Sequence, residues 1–371
     1  MDISNNKEEI LSKTIELLRF PLAVAVVFIH STKVEEIDMN FLHQNPLSGE
    51  SIYNFITICF TKVLPSIAVP TFFMISGYLF FYKSKDWNIN VYWVKLKKRF
   101  FTLLVPYLLW NILFVLSEYI IYGITGKDVS IITKTYSDMG WYNIFYCSTL
   151  SSGDIIYTPV NTPLWFIRDL IIMVILSPIV YMLIKYLKIW SIYILGICFI
   201  FYLWPHIPGF SITAFLFFTL GAYFSLSKLN FVEVFRKYKA IFYIVSLILL
   251  LTAIWYNGET TSIGCYAKKL YILFGVPAII CLFSEFITKD RIKPSYFLSN
   301  SSFFIYALHM LVILPYTIAI FNLILPSSLP IIMIIRYFLY SIVTVMICLL
   351  IFWTMGKIMP KTLSILTGNR N

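Results

Sequence analysis

Glu16-Leu17-Leu18-Arg19-Phe20-Pro21-Leu22-Ala23-Val24-Ala25-Val26-Val27-Phe28-Ile29-His30 is an apolar run with a cation near its start and an imidazole at its end. A run of this length and composition reads as a membrane-spanning helix, expected over Ile15 to Ser31. At roughly 100° and 1.5 Å per residue, Arg19 and His30 return to within about 20° of one helical face and stand about 16 Å apart. Charged groups inside a span are costly and face a bundle interior or a cavity, so one wall of a passage through the lipid carries a cation and an imidazole. The plainer reading has Arg19 snorkelling to the interface beside Glu16, one turn away, with His30 at the far surface.

Working outward, runs of this kind fill the chain. Of its 371 residues 59% are hydrophobic and only 13% charged, and the mean hydropathy is +0.81, beyond what a soluble core absorbs. The fold class expected is all-α, a polytopic transmembrane bundle of about ten spans with both termini cytoplasmic. After the first, the spans are placed at Val69 to Phe81, Phe100 to Tyr122, Leu164 to Ile184, Ile189 to Trp204 and Ile212 to Leu226. Ile241 to Trp255, Leu270 to Ile287, Ser302 to Phe321 and Ile331 to Met355 complete the set. The apolar segment around Ile52 to Val63 is expected to be a separate interfacial or re-entrant helix. Glu16 and Arg19 interrupt the first run and no small-residue cleavage site follows it, so it is read as a retained span, not a signal peptide.

The net charge of +11 raises the question of nucleic acid, and its distribution answers with a membrane. Alternating the segments puts 20 of the 29 Lys and Arg residues on the cytoplasmic side, 6 outside (Lys33, Lys62, Lys127, Lys134, Lys268, Lys269) and 3 within spans (Arg19, Arg168, Arg336). That asymmetry is the positive-inside rule for an inner (cytoplasmic) membrane protein. Residues 1–371 read as one membrane domain with a tail over 1–14, an outer loop over 123–163 and a tail over 356–371. The outer loop is too short for a catalytic domain of its own. Chemistry belongs in or at the membrane.

A histidine can take a proton from a hydroxyl at neutral pH, which makes His30 the general-base choice, with Arg19 and Glu16 beside it. Arg168 and Asp169 one turn into the fourth span, Arg336 about one turn into the last, and His309 near mid-membrane are expected to converge with His30 on a cavity. The alternatives are an Arg168–Asp169 or Arg336–Asp169 ion pair joining helices, and an interhelical hydrogen bond from His309. Ser76-Gly77 reads as a close-packing site before it reads as a nucleophile. No Gly-x-Ser-x-Gly, Gly-rich phosphate loop or His-Glu-x-x-His motif occurs, and the six cysteines lack metal-ligand spacing, so no metal is expected.

Taken together, these landmarks carry a resemblance. Arg19 and His30 with Glu16 ahead of them, Phe72-Phe73-Met74-Ile75-Ser76-Gly77-Tyr78, Pro163-Leu164-Trp165-Phe166, and Ser302-Phe303-Phe304-Ile305-Tyr306-Ala307-Leu308-His309 fall in the order found in acyltransferase family three. These are integral-membrane enzymes that often O-acetylate bacterial cell-surface glycans. The resemblance implies an acyl-CoA donor, acetyl-CoA or another, entering from the cytoplasm, and a glycan or glycan-lipid acceptor outside. It places the donor's phosphates near Arg19 and the cluster Lys95, Lys97, Lys98 and Arg99, and makes Trp165 part of the acceptor region with Arg168, Asp169, His309 and Arg336. Many members carry Arg-x-x-Arg after the second span. Here Arg99 is followed at that spacing by Thr102, with the three lysines upstream. For the lysines, plain positive-inside topology competes with a phosphate site. A transporter of a small polar or anionic substrate is the rival from another class, since intramembrane Arg, His and Asp also mark transport pathways; a membrane sensor or scaffold is a third.

Overall fold

A computed structural model describes residues 3–31, 45, 47–82, 87–126, 142, 147–151, 154–257 and 261–369. Each expected apolar run is helical. α1 covers Ile3–Ile29, α2 Gly49–Phe81, α3 Ile89–Ile124, α4 Trp165–Ile175 and α5 Ser177–Leu187. α6 is Trp190–Ile200, α7 Ile212–Leu226, α8 Phe231–Lys237 and α9 Lys239–Trp255. α10 is Ser262–Thr288, α11 Tyr296–Ile324, α12 Pro330–Ile358 and α13 Pro360–Leu366. The starts follow cap chemistry: Ser48, Asn88, Ser211, Asn230, Thr261 and Ser295 each accept a backbone N–H of the first turn that they cap.

Among the described residues, five helices (α2, α3, α10, α11, α12) are long and apolar enough to cross a bilayer alone, and up to seven spans result if each bent pair counts as one. The bent pairs are α4–α5, which turns by 63°, and α7–α8, which turns by 101°. α6 and α9 are shorter apolar helices. The protein is thus a multi-pass membrane protein with fewer full-length crossings than the ten runs predict.

Three expectations change. Ile52 to Val63 is not a separate interfacial helix but the first part of the 33-residue α2. Lys62, expected outside, is buried within that helix at 5% exposure. The outer loop also carries the one departure from all-α among the described residues, an antiparallel hairpin of β1 (Cys147–Ser151) and β2 (Asp154–Thr158). Lys33, Lys83, Lys85, Lys127, Lys134 and Arg370 lie outside the described residues.

The first change has a local cause. α2, α3 and α11 widen into π-helix over Ile58–Val63, Phe100–Leu104 and His309–Ile313, and two residues beyond each stretch stands a proline: Pro65, Pro106 and Pro315. Proline has no N–H to donate, and its ring crowds the carbonyl four residues earlier. A widened turn relieves the clash without breaking the helix.

Lipid offers no hydrophobic force to press helix against helix, so shape decides which faces meet. α2 and α7 pack backbone to backbone: a Cβ added at Gly221 would sit 1.9 Å from the Met74 carbonyl oxygen, and one at Gly77 2.1 Å from that of Phe218. Around this crossing Phe73, Phe80, Phe81, Phe217, Phe218 and Phe231 are fully enclosed. At one end of the bundle Lys7 pairs with Glu233 at 2.8 Å, and Tyr82 Oη donates to Glu8. At the opposite end the Ser341 hydroxyl donates to Ser31 Oγ at 2.8 Å, and the Thr61 and Tyr337 hydroxyls share a hydrogen bond. α1 runs between these two ends.

Candidate functional site

Arg19 and Arg99 line one cavity of about 330 Å³. α1 contributes Arg19, α2 contributes Phe72, Ile75, Ser76 and Leu79, and α3 contributes Arg99 just before its π stretch. α4 adds Phe166, Ile167 and Leu170, and α11 adds Ser299, Asn300, Ser302, Phe303 and Tyr306. Two guanidiniums facing apolar and hydroxyl-bearing walls suit a ligand with an anionic head and an uncharged arm. Among the described residues no ion pair holds Arg19. Glu16 lies one turn away on α1 and acts on Arg19 through its charge without a salt-bridge contact.

The lysines separate from Arg99. The Lys95 ammonium donates to the Phe80 carbonyl and lies over the Phe80 and Trp87 rings, 5.4 and 5.8 Å from their centroids. Lys97 and Lys98 are exposed. None of the three lines the cavity. At the position of the family's second arginine, Thr102 backs onto the C-terminal turn, where a Cβ on Gly368 would meet the Thr102 carbonyl oxygen at 2.2 Å.

Tyr306 forms one wall of the cavity, and its hydroxyl donates to the Pro163 carbonyl. His309 follows three residues later, about one helical turn along α11. His309 faces His30 with ring centroids 5.4 Å apart and planes at 42°. His30 stands one residue beyond the end of α1, its N–H held by the Val27 carbonyl at 3.2 Å. The cavity's lining stops short of both histidines. Sequence expected His30 and His309 to converge on a cavity with Arg168, Asp169 and Arg336; α1 and α11 do bring the two rings together, outside the cavity's lining.

Arg168, Asp169, Arg336 and Trp165 do not join them. Arg168 Nη2 and Nε donate to Asp169 Oδ1 at 3.1 and 3.2 Å, and Asp169 is buried at 1% exposure. The plainer reading named this pair, but both partners sit on α4, so the pair itself joins no two helices. Arg336 Nη1 donates to the Leu325 carbonyl at 3.1 Å, which caps the end of α11 in place of the Asp169 contact. Trp165 packs against Phe73 at 6.4 Å between ring centroids, and its neighbour Phe166 lines the cavity.

Sequence reasoning passed over Ser299 and Asn300, and took Ser302 only as the start of a motif. Their signal is visible afterwards: Ser299-Asn300-Ser301-Ser302 is a polar run inside an otherwise apolar span, a costly placement unless it faces a cavity or partners. Asn111 and Asn161 were missed as well. Both are fully buried, with the Asn161 N–H donating to Asn111 Oδ1 at 3.0 Å and Asn161 Nδ2 to the Ala307 carbonyl at 3.1 Å. They tie the end of the outer loop to α3 and α11 beside the histidines.

An acyltransferase domain family matches residues 12–353, which takes in every element of this site. The chain belongs to acyltransferase family three. As a member of that family it shares 28% identity over 178 residues with the succinoglycan biosynthesis protein ExoH of Rhizobium meliloti (strain 1021). That match covers 47% of this chain and 44% of the relative's own length. No solved structure matches it. Of the residues that carried the resemblance to acyltransferase family three, Arg19, Phe72, Ser76, Phe166, Ser302 and Tyr306 line the cavity, while His30 and His309 face each other outside its lining.

Proposed function

We propose that this protein is an O-acyltransferase of the inner membrane, with both termini cytoplasmic, that moves an acyl group, acetyl by preference, from cytoplasmic acyl-CoA to a hydroxyl of an extracytoplasmic glycan or glycan-lipid. The observation that carries the reading is the cavity. Two guanidiniums from different helices meet in it, and its Tyr306 wall lies about one helical turn from His309. Guanidinium forks match phosphate oxygens, so Arg19 and Arg99 are assigned to the donor's phosphates. The aromatic and aliphatic walls fit the uncharged arm that leads from the phosphates to the thioester.

His30 is assigned to the reacting centre. It takes the proton of the acceptor hydroxyl as the oxygen attacks the thioester carbon, and the departing thiolate takes the proton back. Arg19 and Glu16 on the same helix set the charge at its other end. The glycan acceptor is supported by the relative named for succinoglycan biosynthesis, and the acceptor region is assigned to the end of the bundle where Ser31 and Ser341 meet.

The test uses radiolabelled acetyl-CoA and membranes carrying either the wild type or His30→Ala. Label should reach glycan with the wild type alone. Equal labelling by both forms removes His30 from the mechanism, and no labelling by either favours the transporter reading.

A further inference from the structure

His309 differs from His30 in one respect that bears on catalysis. His309 is fully buried, whereas His30 keeps part of its surface open. Of the two rings, His30 is the one that offers surface to a substrate. The polar atoms of His309 are constrained too. Its Nδ1 lies 3.1 Å from the Ile305 carbonyl oxygen, and a carbonyl only accepts, so Nδ1 carries the proton. In the neutral ring Nε2 is then a bare acceptor. It is buried, and among the described residues no hydrogen bond reaches it.

A buried acceptor left without a donor is unfavourable, so this one calls for a partner. The imidazole facing this ring is His30, with centroids 5.4 Å apart. Two imidazoles joined by an N–H···N bond of about 2.9 Å have centroids roughly 5.2 Å apart when aligned. At 5.4 Å the two rings stand close to the spacing of such a bond.

We propose that His309 is a positioning residue whose Nε2 accepts the ring N–H of His30, holding His30 in the tautomer whose other nitrogen is bare and faces the acceptor hydroxyl. The inference rests on the assignment of His30 as the base. The hydroxyl proton passes to the bare His30 nitrogen, the oxygen–carbon bond forms, the carbon–sulfur bond breaks, and the thiolate leaves with the proton. His309 shares the second His30 proton throughout and ends unchanged. The arrangement follows the logic of a base oriented by a third group, with a neutral imidazole in place of a carboxylate.

The test compares wild type, His309→Leu and His309→Gln, with labelled acetyl-CoA as the probe and native membranes supplying the acceptor. Leucine removes the acceptor atom, and the glutamine carbonyl restores one. His309→Leu should lower kcat by roughly 100-fold or more, with KM for acetyl-CoA within about twofold of wild type, while His309→Gln stays within about tenfold of wild-type kcat. Equal loss in both variants, a KM that rises in step with the lost rate, or a fully active His309→Leu each overturns the proposal. If His309→Leu fails to accumulate, folded His309→Gln decides alone: retention supports the proposal, and a loss beyond roughly 100-fold overturns it. A wild type that transfers no label overturns the acyltransferase reading and this inference together. A wild type that transfers, matched by His309→Leu, removes only the inference.

Discussion

Arg19 on α1 and Arg99 on α3 line the same cavity, although the four basic residues Lys95, Lys97, Lys98 and Arg99 look alike as a cluster. Charge-assisted hydrogen bonds contribute about 1.5–3 kcal/mol each, or about 10- to 150-fold in affinity. Arg19→Gln and Arg99→Gln should weaken acetyl-CoA binding by that factor in titrations of purified protein. Lys97→Gln and Lys98→Gln should leave it within about twofold. Arg99→Lys should behave more like Arg99→Gln than like wild type, because an ammonium cannot reproduce the bidentate fork. Equal effects from all four positions would mean that bulk charge at the membrane surface, and not the cavity, holds the donor.

Gly77 and Gly221 are where the α2–α7 crossing admits no side chain. The atoms in the way are backbone, which cannot swing aside, so Gly221→Ala or Gly77→Ala should cost roughly 1–3 kcal/mol or more. Gly196→Ala supplies the control, since a Cβ there meets nothing within 4 Å. Thermal unfolding in detergent should show a clear drop for the first two and none for the third. A Gly221→Ala protein as stable as wild type would contradict the packing described.

Asp169 is buried with Arg168 as its ion-pair partner. Arg168→Leu strands a carboxylate in the protein interior, a loss of about 3–5 kcal/mol. Removing both charges together, as in Arg168→Leu with Asp169→Leu, should destabilise less than the single change, because no uncompensated charge remains. Thermal midpoints of the two variants, measured side by side, give the order. The reverse order would mean that the pair does more than satisfy itself.

The capping role of Arg336 is testable in the same assay. Arg336→Ala frees the Leu325 carbonyl and should lower stability by about 1–2 kcal/mol, with KM for acetyl-CoA unchanged. A raised KM in a fully stable protein would return Arg336 to the ligand site.

Much of this was legible along the chain. Arg19 could be placed in a cavity because a guanidinium within a span has few tolerable surroundings. The close packing at Gly77 followed from the same economy of space. Proline alone did not announce the π stretches, since Pro21 and Pro277 stand inside α1 and α10 without one, and reading apolar runs between proline-bearing breaks made the first part of α2 a separate helix. Lys95 and Arg99, one helical turn apart, show where reading stopped. Which of them enters the cavity depends on Phe80 and Trp87, and the flexible lysine stem folds back to the Phe80 carbonyl.

Sequence by itself determined that the chain lives in a bilayer and which segments are helical, because transfer of apolar side chains into lipid and the need to satisfy every backbone N–H and C=O internally are properties of each segment alone. Only tertiary structure decided that the rings of His30 and His309 face each other, that Arg168 turns to Asp169 and not into the cavity, and that Arg336 closes a helix end. Helix faces inside a membrane are matched by shape and by pairing of polar atoms between distant segments, and neither leaves a periodic trace in the sequence.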